Sequence, residues 1–312
     1  MSVIGVDLGG TNLSVGLISR SEVIKKISCR TDRTGATEIL DQIAAQCLKL
    51  LKETGTDIID LSGVGIASPG WVDARNGVIC SSANLPLSQI PMAQKIHEKL
   101  KLPVRVENDA NCAALGEYWY GIGRGYDNLL VLTVGTGFGA GVILNGRLLT
   151  GPGVAELGHT VLTLEGELCS CGRKGCCEAY LSGSGLMRMA GKAAYQNPQS
   201  RLCTGNITGE SFFAAVAQQD QAALSVLDRY LFCFAEALMN FINIFRPEAV
   251  IIGGGISNAG DAFFIPLRER LAKVARANVY GIKTPEILKA ALGDATGILG
   301  AAALLIQENE EN

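Results

Sequence analysis

Two segments 126 residues apart carry one pattern. Setting Ile4–Gly16 against Leu130–Val142 places "GVDLGGT" over "VLTVGTG", each a hydrophobic run that ends in a Gly/Thr turn and resumes as a second hydrophobic run. A match of this kind at a fixed offset points to a chain built from two related halves. Such turns have a physical use, because backbone N–H groups approach an anion only where no Cβ intervenes. Two of them on opposing halves would form a phosphate-sized cleft.

The rest of the chain alternates strands with helices. "TEILDQIAAQCLKLLKE" (37–53) reads as an amphipathic helix and "LSGVGIAS" (61–68) as a buried strand. Gln221–Phe245 repeats apolar residues at three- and four-residue steps and reads as one long core helix. It delivers the strand "AVIIGGG" (249–255), whose glycines open another loop suited to a nucleotide. The last helix, around "GILGAAALLI" (297–306), is rich in small residues and should pack closely. This order predicts an α/β fold with two domains, a number that suits 312 residues, with the boundary in the connection "GIGRGYDN" (121–128).

Composition excludes several classes of function. Net charge is −3, and no stretch concentrates Lys and Arg with interleaved aromatics, which argues against a nucleic-acid partner. The start, "MSVIGVDLGG", lacks the basic and apolar regions of a secretory signal, and the most apolar run, 129–144, is broken by threonines and glycines. The expectation is a cytoplasmic protein with no membrane partner. Its ten cysteines should then be thiols or metal ligands.

Neither a P-loop nor a dinucleotide "GxGxxG" is present. The "VDLGGT" turn offers instead Asp7, suited to hold Mg²⁺ through water, and Gly9, Gly10 and Thr11 as donors to phosphate oxygens. A turn aspartate that caps its own backbone would be the simpler reading of Asp7 if "TVGTGFGAG" (133–141) did not repeat the device. In "VENDAN" (106–111), Asp109 suits a general base for a substrate hydroxyl and Asn108 suits fixing that hydroxyl's direction. Asx capping of a helix that starts near Ala110 explains the same residues equally well, and both can hold together.

The strongest single signal is His159, Cys169, Cys171 and Cys176, one nitrogen and three sulfurs around "CGRKG". This set suits a closed tetrahedral zinc site, structural because four protein ligands leave no open position. The other histidine, His97, has an ordinary helical context, and "CSC" with a vicinal "CC" lacks the C-x-x-C spacing of a redox dithiol. Cys177 is left as a packed free thiol.

Together "DLGGTN", "GIASPGWVD", "ENDANCAALGE", "TVGTGFGAG", "ELGH", "CSCGRKGCCEAY" and "IIGGGIS" resemble the ROK family (repressors, open reading frames and sugar kinases) of the actin-like ATPase superfamily, over nearly the whole chain and in the family's order. The resemblance implies a two-lobed actin-like (ribonuclease H-like) fold with an interdomain cleft. One lobe would be 1–118 with 296–312; the other, 119–295, would carry the zinc site and a dimer surface. It implies ATP-dependent phosphorylation of a hexose, foremost glucose to glucose 6-phosphate, in a homodimer or higher homo-oligomer. ATP and Mg²⁺ would lie on Asp7, Gly9, Gly10, Thr11 and Asn12 and on Thr133, Gly135, Thr136, Gly137 and Gly139, with Gly253, Gly254 and Gly255 near the adenosine. Asp109 would be the general base. Gly70, Asn108, Asp109, Glu156, His159 and Glu178 would bind the sugar, His159 serving zinc as well.

Alternatives within the family are kinases for N-acetylmannosamine, N-acetylglucosamine, allose or fructose, and a non-catalytic sugar sensor. A repressor would need a helix-turn-helix domain ahead of "GVDLGGT", which begins at residue 5. Two departures bear on sugar identity. Family kinases often carry Gly where Ala155 precedes Glu156, and many glucokinases have a Trp shortly after "NLP", where this chain reads "NLPLSQIP" and places Trp71 after Gly70.

Overall fold

The computed structural model describes residues 2–20, 22–151, 153–203, 205–276 and 283–311. They form two compact units. The first comprises Met1–Tyr126, Gly141–Ala155 and Ala291–Asn312, and the second Asp127–Ala140 and Glu156–Ala290. The chain thus changes unit between Tyr126 and Asp127, inside the glycine-rich connection.

The first sheet is built from β1 (Ser2–Leu8), β2 (Asn12–Ser19), β3 (Glu22–Arg30), β4 (Leu61–Ser68) and, after three short strands β5 (Trp71–Asp73), β6 (Val78–Ser81) and β7 (Ser88–Ile90), β8 (Val104–Asn108). Its order is β3-β2-β1-β4-β8, while β5-β6-β7 form a small sheet of their own. β1 runs antiparallel to β2 and parallel to β4, and β4 parallel to β8. α1 (Ala36–Thr54) buries Ile39, Ile43, Leu50 and their neighbours, an apolar stripe at helical spacing, against this sheet, and Gly55 ends it in a left-handed turn. α2 (Met92–Leu100) and α3 (Asp109–Trp119) flank β8 in sequence. Ile4, Val6 and Leu8 share a core with α1, so the alternate residues of β1 face the other way.

The second sheet repeats the plan. β9 (Leu129–Val134) and β10 (Phe138–Leu144) surround the second glycine turn, followed by β11 (Arg147–Leu148). After α4 (Cys177–Leu181), α5 (Gly183–Gln196), α6 (Gly209–Ala217) and α7 (Gln221–Phe245) come β12 (Ala249–Gly253), α8 (Asp261–Arg276) and β13 (Glu286–Lys289). The order β11-β10-β9-β12-β13 is third-second-first-fourth-fifth, as in the first sheet, and β9, β12 and β13 are parallel. The 126-residue offset holds in the strand bounds, since β1 ends at Leu8 and β9 at Val134, and β2 begins at Asn12 and β10 at Phe138. Asp7 pairs with Ala67, and its counterpart Thr133 pairs with Gly253. Every residue of β12 is buried, which fits a parallel strand covered on both faces. α7 has the bounds its periodicity predicts and contributes Tyr230 and Phe234 to an aromatic cluster with Phe263.

The final helix, α9 (Thr296–Glu311), returns to the first unit. No helix among the described residues is long and apolar enough to cross a membrane.

Glu117, near the end of α3, is fully buried. Its carboxylate accepts the N–H of Ile122 at 3.1 Å on one oxygen and those of Ala291 and Leu292 at 2.9 and 3.1 Å on the other. One side chain thus fixes the segment on which the chain leaves the first unit and the segment on which it returns. Removing the acceptor strands three amides, and hydrogen bonds to a charged group contribute about 1.5–3 kcal/mol each before non-additivity. Glu117→Ala is expected to lower unfolding stability by about 3 kcal/mol or more in urea titration, and Glu117→Gln, which keeps one acceptor oxygen, by less. An alanine variant within about 1 kcal/mol of wild type would contradict this role.

Candidate active site

In the first unit the catalytic candidates stand at the carboxyl ends of β1, β4 and β8, where ligands bind in open α/β sheets. The turn after β1 is closed by the Gly9 N–H donating to Asn12 O at 2.9 Å. The loop after β3 is laid over it. Thr31 donates from its amide to Thr11 O and from its hydroxyl to Gly9 O, at 2.9 and 2.7 Å. A Cβ on Gly10 would come within 3.4 Å of Asn84, so a side chain there would fill the space an anion needs.

Asp7 ends β1 against the first turn of α9, where a Cβ on Gly297 would strike its carboxylate. Burial raises its pKa, and the positive charge of Lys26 works against that rise. A partly desolvated carboxylate of this kind suits a hydrated Mg²⁺.

The helix after β8 starts on Asn108. Its Oδ1 accepts the amides of Ala110 and Asn111 at 2.9 and 3.3 Å, an N-cap, while its Nδ2 donates to Gly70 O at 3.0 Å. Gly70 holds φ +103, and a Cβ there would run into Ser81 O. Capping of α3 thus falls to Asn108, and its neighbour Asp109 stands as the first residue of the helix. Strand register sets Asp7 two strands from Glu107, about 10 Å at the backbone. The buried Cys112 thiol senses the cluster. Burial pushes its pKa well up, and the charges of Glu107, Asp109 and Asp7 push it further.

Glu107 stands beside the site; it opens the "ENDANCAALGE" motif, although the sequence assigns it no role. Its side chain is buried, and its Oε1 accepts the Asn108 amide at 2.7 Å and Asn111 Nδ2 at 3.1 Å, bracing the turn that presents Asp109. Burial raises its pKa against the pull of those two bonds. A carboxylate inside an apolar strand carries no local sign of its partners, so sequence reasoning had only its place beside Asn108 to go on.

In the second unit the turn 135–137 is closed by the Gly135 N–H donating to Gly137 O at 3.1 Å. It is bound to the start of α5 by the Gly183 N–H donating to Gly135 O at 2.7 Å and the Ser184 hydroxyl to Thr136 O at 2.8 Å. The glycine loop after β12 lies beside this turn. Gly254 takes φ +79, and a Cβ there would meet the Val134 backbone.

Glu156, His159 and Glu178 belong to one neighbourhood. A short 3-10 turn, Leu157–His159, follows Glu156, whose carbonyl accepts the His159 N–H at 3.0 Å. Gly158 sits against Phe138 O, and a Cβ on it would lie 3.6 Å from Glu178 Cβ. Ala155 adopts φ +61, a left-handed conformation that favours glycine and costs other residues about 1–2 kcal/mol. The substitution of Ala for Gly before Glu156 therefore leaves the backbone path in the glycine geometry.

His159 Nδ1 and the sulfurs of Cys169, Cys171 and Cys176 all lie within 4.8 Å of one another. The Cys169–His159 and Cys171–Cys176 separations are 3.6 and 3.7 Å. Tetrahedral Zn–S and Zn–N bonds of ordinary length require edges of about 3.5–3.8 Å, so the donor set fits zinc. The loop is shaped for this by left-handed Gly172 and Gly175, and the Arg173 amide helps hold the Cys171 thiol below its usual pKa. Because Nδ1 faces the sulfurs, the other ring nitrogen of His159 is left for a ligand. Cys177 is buried beside Thr160, 3.3 Å from its hydroxyl, as a packed thiol.

The family model of the ROK family matches residues 3–308. A glucokinase of Thermotoga maritima is 39% identical over 316 residues, which cover 98% of this chain and 97% of that protein. A ROK family glucokinase from Streptomyces griseus, solved in complex with glucose and AMPPNP, superposes with a TM-score of 0.84 at 32% identity, covering 98% of this chain and all of that one. A ROK hexokinase from Thermus thermophilus gives 0.86 at 31% identity, with both chains fully covered. With its glycine turns, its Asn-Asp helix start and its Cys/His cluster in the family's order, the chain belongs to the ROK family.

Proposed function

We propose that this protein is an ATP-dependent hexokinase whose substrate is glucose, converted to glucose 6-phosphate. The observation that carries the reading is the Asn108–Asp109 pair, with Asn108 tied to Gly70 and Asp109 set at the start of α3 among the carboxyl strand ends that also hold Asp7. Support comes from the full-length similarity to glucokinases, one of them bound to glucose and a nucleotide analogue.

In this reading Asp109 accepts the proton of the sugar hydroxyl as that oxygen forms a bond to the γ-phosphorus and the bond to the bridging oxygen of ADP breaks. Gly70, Asn108, Glu156, His159 and Glu178 hold the sugar. Backbone donors of Gly9–Asn12 and of the Thr133–Gly139 turn hold the phosphates, with Gly253–Gly255 near the adenosine. Mg²⁺, held through water by Asp7, would neutralise phosphate charge. Zinc on His159, Cys169, Cys171 and Cys176 would be structural. Lobes of 1–118 with 296–312 and of 119–295 follow the family resemblance, whereas the compact units assign 119–126, 141–155 and 291–295 to the first; the second lobe would bear a homodimer surface, and the enzyme would work in the cytoplasm. Related hexoses and N-acetylhexosamines differ by single ring substituents, so a kinetic panel of sugars decides among them.

Replacing the general base should slow turnover with little effect on binding. Asp109→Asn is expected to reduce kcat by about 10²–10⁴ while sugar affinity, measured by calorimetry, stays within a few fold. Wild-type turnover in that variant would remove Asp109 from the role. For the metal, elemental analysis should find one zinc per chain in the wild type. Cys171→Ser should lose zinc and raise the sugar KM by roughly tenfold or more. A metal-free wild type with full activity would refute the zinc assignment.

A further inference from the structure

Glu178 has two sets of partners. It stands in the first turn of α4, whose N-cap is Cys176 of the metal cluster. One carboxylate oxygen accepts the Ser170 hydroxyl at 2.8 Å, and Cys169 Sγ lies 3.7 Å from the same atom. Ser170 lies between Cys169 and Cys171 in the chain, so this oxygen is bound to the knuckle itself. The other oxygen accepts the Phe138 N–H at 3.2 Å, and a Cβ on Gly137 would lie 3.1 Å from it. Phe138 and Gly137 belong to the second glycine turn, the one that offers backbone donors to phosphate.

We propose that Ser170 is a positioning residue that couples the Cys/His knuckle to the second glycine turn through Glu178, so that the knuckle orders the nucleotide's phosphate site as well as the sugar's. The proposal rests on the phosphate-binding role given to that turn above. Three points of geometry favour it. The Phe138 amide is engaged by Glu178, so the carboxylate sets the height at which the turn begins β10. The other fastenings of the turn, from Gly183 and Ser184, come from α5, which follows α4 after a single residue. The knuckle is small and closed on itself, with the Cys169 amide donating to Arg173 O at 2.8 Å and the Gly172 amide to Cys169 O at 3.0 Å. A metal on the four donors would make it a single block, and the Ser170 hydroxyl is a group by which it grips the carboxylate.

A structural serine on an exposed loop would leave nucleotide affinity untouched, and that difference makes the test. ADP binding is measured by calorimetry in the absence of sugar, for wild type, Ser170→Ala and Ser170→Thr, with zinc content determined on each. The expected result is that Ser170→Ala keeps its zinc and binds ADP about three- to tenfold more weakly, the range for one hydrogen bond of ordinary net strength. Ser170→Thr, which retains the hydroxyl, should bind within about twofold of wild type by the same argument. Unchanged ADP affinity in Ser170→Ala overturns the proposal. Loss of zinc from that variant overturns it too, because the hydroxyl would then be retaining metal. ADP binding reads the coupling without any sugar, so an absence of hexose turnover alongside the expected Ser170→Ala effect would count against the kinase reading alone.

Discussion

The close seat of α9 on β1 and β4 is the constraint on which the first unit depends. At Gly5 and Gly65 a Cβ would run into the carbonyl oxygens of Ile298 and Ala301, and on the far side Gly300 of α9 meets Cys112 O of α3 in the same manner. Helix and sheet touch backbone to backbone because the sheet carries no side chain at those points. A segment some 290 residues along the chain is thereby locked to the first strand, which is why the unit is discontinuous. The seat also fixes electrostatics. It brings the first turn of α9 to Asp7, whose anion a helix N-terminus favours and burial disfavours. The pKa rises because burial outweighs the positive charge of Lys26, and a divalent cation is a partner that would reverse the balance.

Duplication gives the second sheet the same strand order with a different chemistry at the strand ends. The 126-residue offset sets Thr133 where the first sheet has Asp7, and their partners on the neighbouring parallel strands are Gly253 and Ala67. One turn thus has a carboxylate beside it, while the other has a hydroxyl and a glycine loop in which Gly254 approaches Val134 too closely for any other residue. A nucleotide's phosphates and its adenosine ask for different surroundings, and two copies of one motif can diverge to supply them.

Much of this was legible in the sequence. The strands around both turns, α1, β4 and α7 follow from local hydrophobic period, and the Cys/His cluster from ligand type and spacing, because each is set by residues near one another in the chain. The capping of α3 was legible as one of two readings of "VENDAN", and the structure gives it to Asn108. The buried carboxylates Glu107 and Glu117 were not. Glu117 meets partners 174 and 175 positions away, and no period or motif encodes a pairing of a side chain with distant backbone amides. The small sheet β5-β6-β7 escaped for the same reason, since its strands are three or four residues long and mostly unburied.

Glu178 shows how one residue can serve several demands at once. A carboxylate has about four acceptor positions, and its partners here are the Ser170 hydroxyl, the Phe138 amide and the Cys169 sulfur. As a zinc thiolate Cys169 would have no proton to donate, so that position would be released when the metal binds. That position is on the oxygen that also accepts the Ser170 hydroxyl, so the hydroxyl would then be the knuckle's remaining grip on the carboxylate.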